Sequence, residues 1–420
     1  MQRAAILAIG TELTLGQTVD TNTAWLAGQL AAIGIRAARH LTVADERTDI
    51  RDALLEAAGS FDLLLASGGL GPTADDLTRH ALAEAAGVEL VLDPLSLEQI
   101  RAFFARRNRP MPTANRVQAM IPRGGRAIEN TCGTAPGIFI ELRGRPCWAL
   151  PGVPFEMQAM FTRDVLPGLR AAVRGRVLRT RVLHCFGLGE SDIGERIADL
   201  MQRGRNPEVG TTASLGVISI RINAAADSEV AATALLDDAE RELRTRLGQV
   251  VCGRDEDTLA SVVGELLLAA GATLATAESC TGGLLGKLLT DISGSSRYYL
   301  GGVVSYADEA KKKLLGLPAD LLAEHGAVSA PVAREMAASA RRVFSSTYAI
   351  SVTGIAGPTG GTPVKPVGLV YLGLASPDGL DVRELQLGSD SPREVIRARA
   401  AGAALNLLRR KLLELRGDVR

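Results

Sequence analysis

Phe61-Asp62-Leu63-Leu64-Leu65-Ala66 is a short, almost uncharged apolar run. It breaks into Ser67-Gly68-Gly69-Leu70-Gly71-Pro72-Thr73-Ala74-Asp75-Asp76-Leu77-Thr78. An apolar run that ends in a glycine loop and restarts as a helix is the strand-loop-helix step of an α/β domain. The pattern repeats outward. Ala5 to Ile9 and Val88 to Leu92 read as further strands, and Trp25, Leu26, Leu30 and Ile33 fall at helical spacing behind the capping cluster Thr21-Asn22-Thr23. From Ala4 to about Leu169 the chain therefore reads as one α/β domain with a largely parallel sheet, residues 1-170, with Pro167-Gly168 at its close.

Two further units follow. Strand-like Val177 to Phe186 and Gly216 to Ala224, with helical Asp192 to Gln202 and Val230 to Leu247, make a small α+β module over 171-252. Residues 253-420 return to strand-loop-helix steps: Ala272 to Ala277 before Glu278-Ser279-Cys280-Thr281-Gly282-Gly283, and Tyr348 to Val352 before Thr353-Gly354-Ile355-Ala356-Gly357-Pro358. The fold class is two α/β domains joined by a small α+β domain. The length of 420 residues suits this division, since domains hold about 100–200 residues each.

Composition removes several classes of function. The 47 basic and 47 acidic residues cancel, so no global field draws the chain to nucleic acid or an anionic membrane. An aromatic fraction of 4% leaves little for base stacking. No apolar stretch approaches the ~20 residues of a membrane helix. Met1 to Gly10 reads as a strand rather than a signal peptide, which places the protein in the cytoplasm. Five scattered cysteines (132, 147, 185, 252, 280) and four histidines (40, 80, 184, 325) form no C-x-x-C or His/Cys ligand pattern. Only six of the 47 basic residues are lysines, all in the last third (287, 311, 312, 313, 365, 411). Where arginine is the default cation, a lysine is a candidate for proton transfer, which arginine cannot perform.

Candidate chemistry falls in three places. In Ser67 to Thr78 the glycines allow backbone N–H groups near an anion at a helix start. Asp75 and Asp76 would repel that anion unless a divalent cation lay between them. A tight turn capped by Asp would use the same residues. Gly10-Thr11-Glu12-Leu13 and Pro151 to Glu156 would share the carboxyl edge of the sheet, where ligands bind. In the last domain, Ser279 and Thr281 form a hydroxyl-rich helix start, followed by Gly294-Ser295-Ser296, Tyr306 and Lys311. With no G-x-S-x-G elbow or S-x-x-K box, a hydrolytic serine here would need a base such as lysine. On the residues alone, Lys311-Lys312-Lys313 reads first as a solvated helix face. The loop Thr353 to Thr362 cradles a ligand or merely turns, and His325 receives no role. No Walker A or complete G-x-G-x-x-G fingerprint occurs.

Together and in this order, Gly10 to Leu13 with Asp20-Thr21-Asn22, Gly68 to Thr78, Pro151 to Glu156, Ala277 to Gly283, Gly294 to Ser296 with Tyr306 and Lys311, and Thr353 to Pro358 resemble the CinA family of competence/damage-inducible proteins. The resemblance spans nearly the whole chain. It implies a molybdopterin-biosynthesis-like N-terminal domain that hydrolyses ADP-ribose to AMP and ribose 5-phosphate with a divalent metal (Mg2+ or a transition metal). It further implies a KH-like central domain, a C-terminal deamidase converting nicotinamide mononucleotide to nicotinate mononucleotide and ammonia without a cofactor, and a homodimer.

Carried over by motif, Asp75 and Asp76 are metal residues, with Glu12, Asn22, Gly69, Gly71, Thr73 and Glu156 around the substrate. Ser296 is the deamidase nucleophile and Lys311 its base. Tyr306, Ser279, Thr281 and Thr353 are binding or tuning positions. A family arginine corresponds to Arg393 or Arg397. Gly187-Leu188-Gly189-Glu190 is not the G-x-x-G clamp of RNA-binding KH modules, so no nucleic-acid binding is expected. A nucleotide or pterin binder without turnover, or an interaction protein of DNA uptake or repair, remain competing readings.

Overall fold

The computed structural model describes residues 3–173 and 177–416. The N-terminal domain runs β1 (Arg3–Ile9), α1 (Thr11–Thr14), α2 (Asn22–Ala32), β2 (Arg36–Val43), α3 (Arg47–Ser60), β3 (Leu63–Ser67), α4 (Thr78–Ala86), β4 (Leu90–Leu92), α5 (Pro94–Ala105), β5 (Met120–Pro122), β6 (Arg126–Ile128), β7 (Gly137–Leu142), β8 (Arg145–Leu150), α6 (Pro154–Met160) and α7 (Leu166–Ala172). Its sheet has the order β2-β1-β3-β8-β7-β6, with β2, β1, β3 and β8 parallel and β7 reversed.

β1 is apolar throughout because both of its faces are covered. Ala5, Leu7 and Ile9 pack with Leu54, Ala81 and Leu82 on one side. Ala4 and Ile6 pack with Leu26, Leu30, Met157 and Phe161 on the other. The strand expected over Val88 to Leu92 shortens to β4 and leaves this sheet, pairing only with β5.

The central module comprises β9 (Val177–Phe186), α8 (Glu190–Arg196), β10 (Glu208–Ser214), β11 (Val217–Ala226), α9 (Glu229–Leu247) and β12 (Val251–Arg254). Its β-α-β-β-α-β succession with sheet order β10-β11-β9-β12 is that of a split β-α-β sandwich. The helix expected to Gln202 stops at Arg196.

The C-terminal domain contains α10 (Leu259–Ala269), β13 (Leu274–Glu278), α11 (Leu284–Thr290), β14 (Tyr299–Val304), α12 (Asp308–Leu315), α13 (Ala319–His325), α14 (Ala330–Phe344), β15 (Tyr348–Gly354), β16 (Leu369–Ser376), β17 (Gly379–Gln386) and α15 (Arg393–Arg416). Its sheet order is β14-β13-β15-β16-β17, the first three parallel and the last two antiparallel. α10, α11 and α15 contribute to the core on one face, and α14 covers the other.

By packing, the chain divides into two compact units, Met1–Arg179 with Ala224–Ala234, and Thr180–Asn223 with Leu235–Arg420. Within the second, Arg409 of α15 is buried and donates to the carbonyls of Gln249 and Val251. Most of the central module thus packs with the C-terminal domain.

Candidate functional site

In the first sheet Ala8 pairs with Ser67, Ser67 with Leu150, and Ile9 with Val43. The loops leaving β1, β3 and β8 therefore lie side by side at the carboxyl edge, where the order turns outward from β1 in both directions. They border a cleft of about 450 Å³ lined by Glu12, Gly69, Gly71, Asp75, Asp76 and Glu156. The glycines are demanded by the packing. A Cβ at Gly68 would stand 2.1 Å from the Ile9 carbonyl oxygen, and one at Gly69 would stand 2.3 Å from Thr78 Oγ1. Asn22 ties two of the loops together, donating to Ser67 Oγ at 2.9 Å and to the Gly152 carbonyl at 2.8 Å. Its buried Oδ1 has no partner.

Asp76 changes the reading of the glycine loop. Its carboxylate accepts from Gly71 N at 2.7 Å, from Thr73 N at 2.8 Å and from the Thr73 hydroxyl. Gly68 N donates to the Leu150 carbonyl. Three of the N–H groups expected to cradle an anion are thus committed within the protein. The charge conflict is met from inside, because buried Arg79 donates to the Leu70 and Gly71 carbonyls and lies near Asp76. Burial lowers the Arg79 guanidinium to about 10, with Asp76 pulling the other way. Asp75 stays exposed at the cleft wall.

Among the described residues no three His, Cys, Asp or Glu side chains gather to hold an ion. The residues therefore do not build a resident metal cage. What they offer a cation is carboxylate at the cleft wall, with the rest of its shell to come from elsewhere. No sequence motif marks Arg79 for this place. None marks Asp45 either, which accepts from Thr11 N at 2.7 Å at the cleft edge.

In the C-terminal sheet Glu278 pairs with Val304 on one side and Val352 on the other. This sets the loops after β13, β14 and β15 together, again around a strand with parallel neighbours on both sides. Lys311 is 1% exposed. Its Nζ donates to the Tyr306 carbonyl at 3.2 Å and stands 3.5 Å from Asp308 Oδ1. Burial lowers the pKa of its ammonium, and Asp308 opposes that shift. Lys312, by contrast, pairs with Glu309 at the surface, so helical phase singles out one lysine of the three.

Both candidate arginines reach this region. Arg393 donates to the Gly357 carbonyl and to Tyr306 Oη, each at 2.7 Å. Arg397 holds the Thr281 carbonyl at 2.6 Å. Arg393 is the one that meets a predicted site side chain. Cys280, lying near both, has its thiol pushed up to about 11 by burial.

The helix start after Gly283 is not an open anion site. Buried Glu278, at the end of β13, accepts from Leu285 N at 3.0 Å and Gly286 N at 2.8 Å, capping α11 from outside the helix. Thr353 is fully buried and its hydroxyl donates to the Ala327 carbonyl at 2.8 Å. Ser279 is buried, and the fully buried hydroxyls of Thr281 and Ser305 have no partner. Ser296 lies exposed on the turn Ser295–Arg297, and no hydrogen bond joins it to Lys311.

Residues 5–171 match the family described as "Probable molybdopterin binding domain", residues 180–253 the "Damage-inducible protein CinA KH domain" and residues 256–412 the "CinA C-terminal domain". A competence-damage inducible protein of Moorella thermoacetica is 46% identical over 414 residues, 98% of this chain and 99% of that protein. A CinA-like protein of Synechococcus elongatus is 44% identical over 414 residues, 98% of each. Among solved structures, the competence/damage inducible protein CihA from Agrobacterium tumefaciens is 40% identical over 36% of this chain and 91% of its own, with a TM-score of 0.35. With three family segments in chain order and relatives this similar from end to end, the chain belongs to the CinA family.

Proposed function

We propose that the chain carries two hydrolytic sites, a C-terminal deamidase of nicotinamide mononucleotide and an N-terminal ADP-ribose pyrophosphatase. The observation that supports the first most directly is Lys311, buried beside Tyr306 with its ammonium disfavoured. A desolvated lysine is a general base that needs no histidine. Neutral Lys311 takes the Ser296 hydroxyl proton as Oγ attacks the carboxamide carbon, and the C=O electrons move onto oxygen. The carbonyl reforms as the C–N bond breaks, ammonia leaving with the proton that Lys311 returns. Water, deprotonated in turn by Lys311, then releases nicotinate mononucleotide and restores Ser296. Arg393, fixed to Tyr306 and Gly357, offers positive charge at the mouth of the site.

At the N-terminal cleft, water adds to one phosphorus of the ADP-ribose diphosphate and the P–O–P bridge breaks, giving AMP and ribose 5-phosphate. A divalent cation would be held by Asp75 and the substrate's own oxygens, neutralising the diphosphate charge. Glu12 and Glu156 line the cleft that receives the diphosphate. The match to a molybdopterin-binding family favours a second reading, a pterin or nucleotide binder without turnover.

Ammonia release from nicotinamide mononucleotide and AMP release from ADP-ribose, each with and without chelator, test the proposal. Ammonia formation unaffected by chelator and AMP formation abolished by it are expected. Absence of both products would overturn it, and ADP-ribose binding without AMP formation would favour the second reading.

A further inference from the structure

Asn130 lies outside every motif recognised in the sequence, in the irregular segment between β6 and β7. Its amide is used to capacity. Nδ2 donates to the Ala135 carbonyl at 2.9 Å and to Glu156 Oε2 at 2.6 Å. Oδ1 accepts from Cys132 N at 3.0 Å and Gly133 N at 2.8 Å. An amide offers two donors and two acceptor sites, and all four are taken.

The contact with Glu156 is close-fitting. A Cβ at Gly133 would stand 2.3 Å from Glu156 Oε2, so a side chain there would push the carboxylate out of this position. Arg163 also holds this segment, donating to the Glu129 carbonyl and to Thr131 Oγ1 at 3.3 Å. Thr134, Ala135 and Glu156 line the same cleft as the glycine loop.

We propose that Asn130 is the positioning residue of the N-terminal site. It fixes the Glu156 carboxylate and the 130–135 wall in the one arrangement that faces the diphosphate. This rests on the proposed ADP-ribose hydrolysis at that cleft. Asn130 reaches no substrate itself and acts through Glu156. Misplacing a group by about 1 Å costs on the order of a hundredfold in rate, so a carboxylate held by one short donor depends on that donor.

The test uses the full chain and Asn130→Asp. This variant keeps an acceptor for Cys132 and Gly133 but loses both donors and sets a second carboxylate against Glu156. Expected is a kcat for ADP-ribose lower by about ten- to a hundredfold, with KM changed less than threefold and amide exchange at Cys132 and Gly133 still slow. Deamidation in the same preparation, expected unchanged, shows that the effect is confined to the N-terminal site. The double variant Asn130→Asp with Glu156→Gln restores a hydrogen bond in the reverse direction and should melt above Asn130→Asp alone. A kcat within twofold of wild type, or a loss of kcat accompanied by loss of exchange protection, overturns the proposal. If the wild type itself yields no AMP, the reading of the cleft fails. The melting points then decide the positioning: rescue in the double variant supports it, and additive losses overturn it.

Discussion

Arg393 and Tyr306 meet side chain to side chain, Nη2 to Oη at 2.7 Å, across 87 residues of sequence. The same guanidinium holds the Gly357 carbonyl, so one arginine joins α15, the segment after β14 and the loop after β15. Tyr306→Phe should lower kcat/KM for deamidation by about ten- to a hundredfold, and Arg393→Lys by at least as much, because lysine cannot supply both fork contacts. The double variant should lose less than the product of the two. Multiplicative losses in a double-mutant cycle would show that the pair is not coupled.

Lys311→Arg and Lys311→Met should each remove deamidation by on the order of 10²–10⁴-fold, the usual contribution of a general base. Stability should move the other way. The folded-state pKa of Lys311 is lowered, so the native chain binds fewer protons than the unfolded one between that value and the ordinary lysine value. Wild-type stability therefore rises with pH through this window, and the penalty is fully present below it. Lys311→Met should melt at or above wild type at pH 7 and lose that advantage near pH 10.5, about the pKa of unfolded lysine. Melting curves at the two pH values check it, and a Met variant less stable at pH 7 would contradict it.

The two loop aspartates should separate. Asp76→Asn removes one of the acceptors used by Gly71 N and Thr73 N and leaves Arg79 uncompensated, costing about 1–3 kcal/mol of stability. Asp75→Asn should leave the melting point unchanged, since Asp75 is exposed, yet reduce AMP formation from ADP-ribose. Denaturation and product assays on both single variants decide this. Equal melting losses would mean that both aspartates are structural.

A 180–420 fragment should keep a higher melting point than a 253–420 fragment. The shorter piece loses the Gln249 and Val251 carbonyls that hold Arg409, and the Phe186 ring that packs against the core near Gly402. A deficit of roughly 5 °C or more is expected, at about 2–4 °C per kcal/mol for this size. Both should still release ammonia, because Ser279, Ser296, Tyr306, Lys311 and Arg393 all lie beyond residue 253. Calorimetric scans of the two fragments give the answer, and equal melting points would show that the module adds no stability.

Local sequence determined the strand-loop-helix steps and the order of three segments. Both are written in apolar periodicity and glycine placement within each segment. It left the partners of the loops undetermined. Asp75 and Asp76 look alike in sequence, and only the folded loop turns Asp76 onto Gly71 and Thr73 while leaving Asp75 outside. Glu278 reads as an ordinary strand end until β13 delivers it to the N–H groups of α11. Asn22 reaches Gly152 across 130 residues, and Asn130 reaches Glu156 across 26. Such bonds leave no periodic trace, because they depend on which strand ends the parallel sheets set side by side. Register and crossover, settled only when the cores pack, decided which predicted residues share a site and which unpredicted ones hold it in shape.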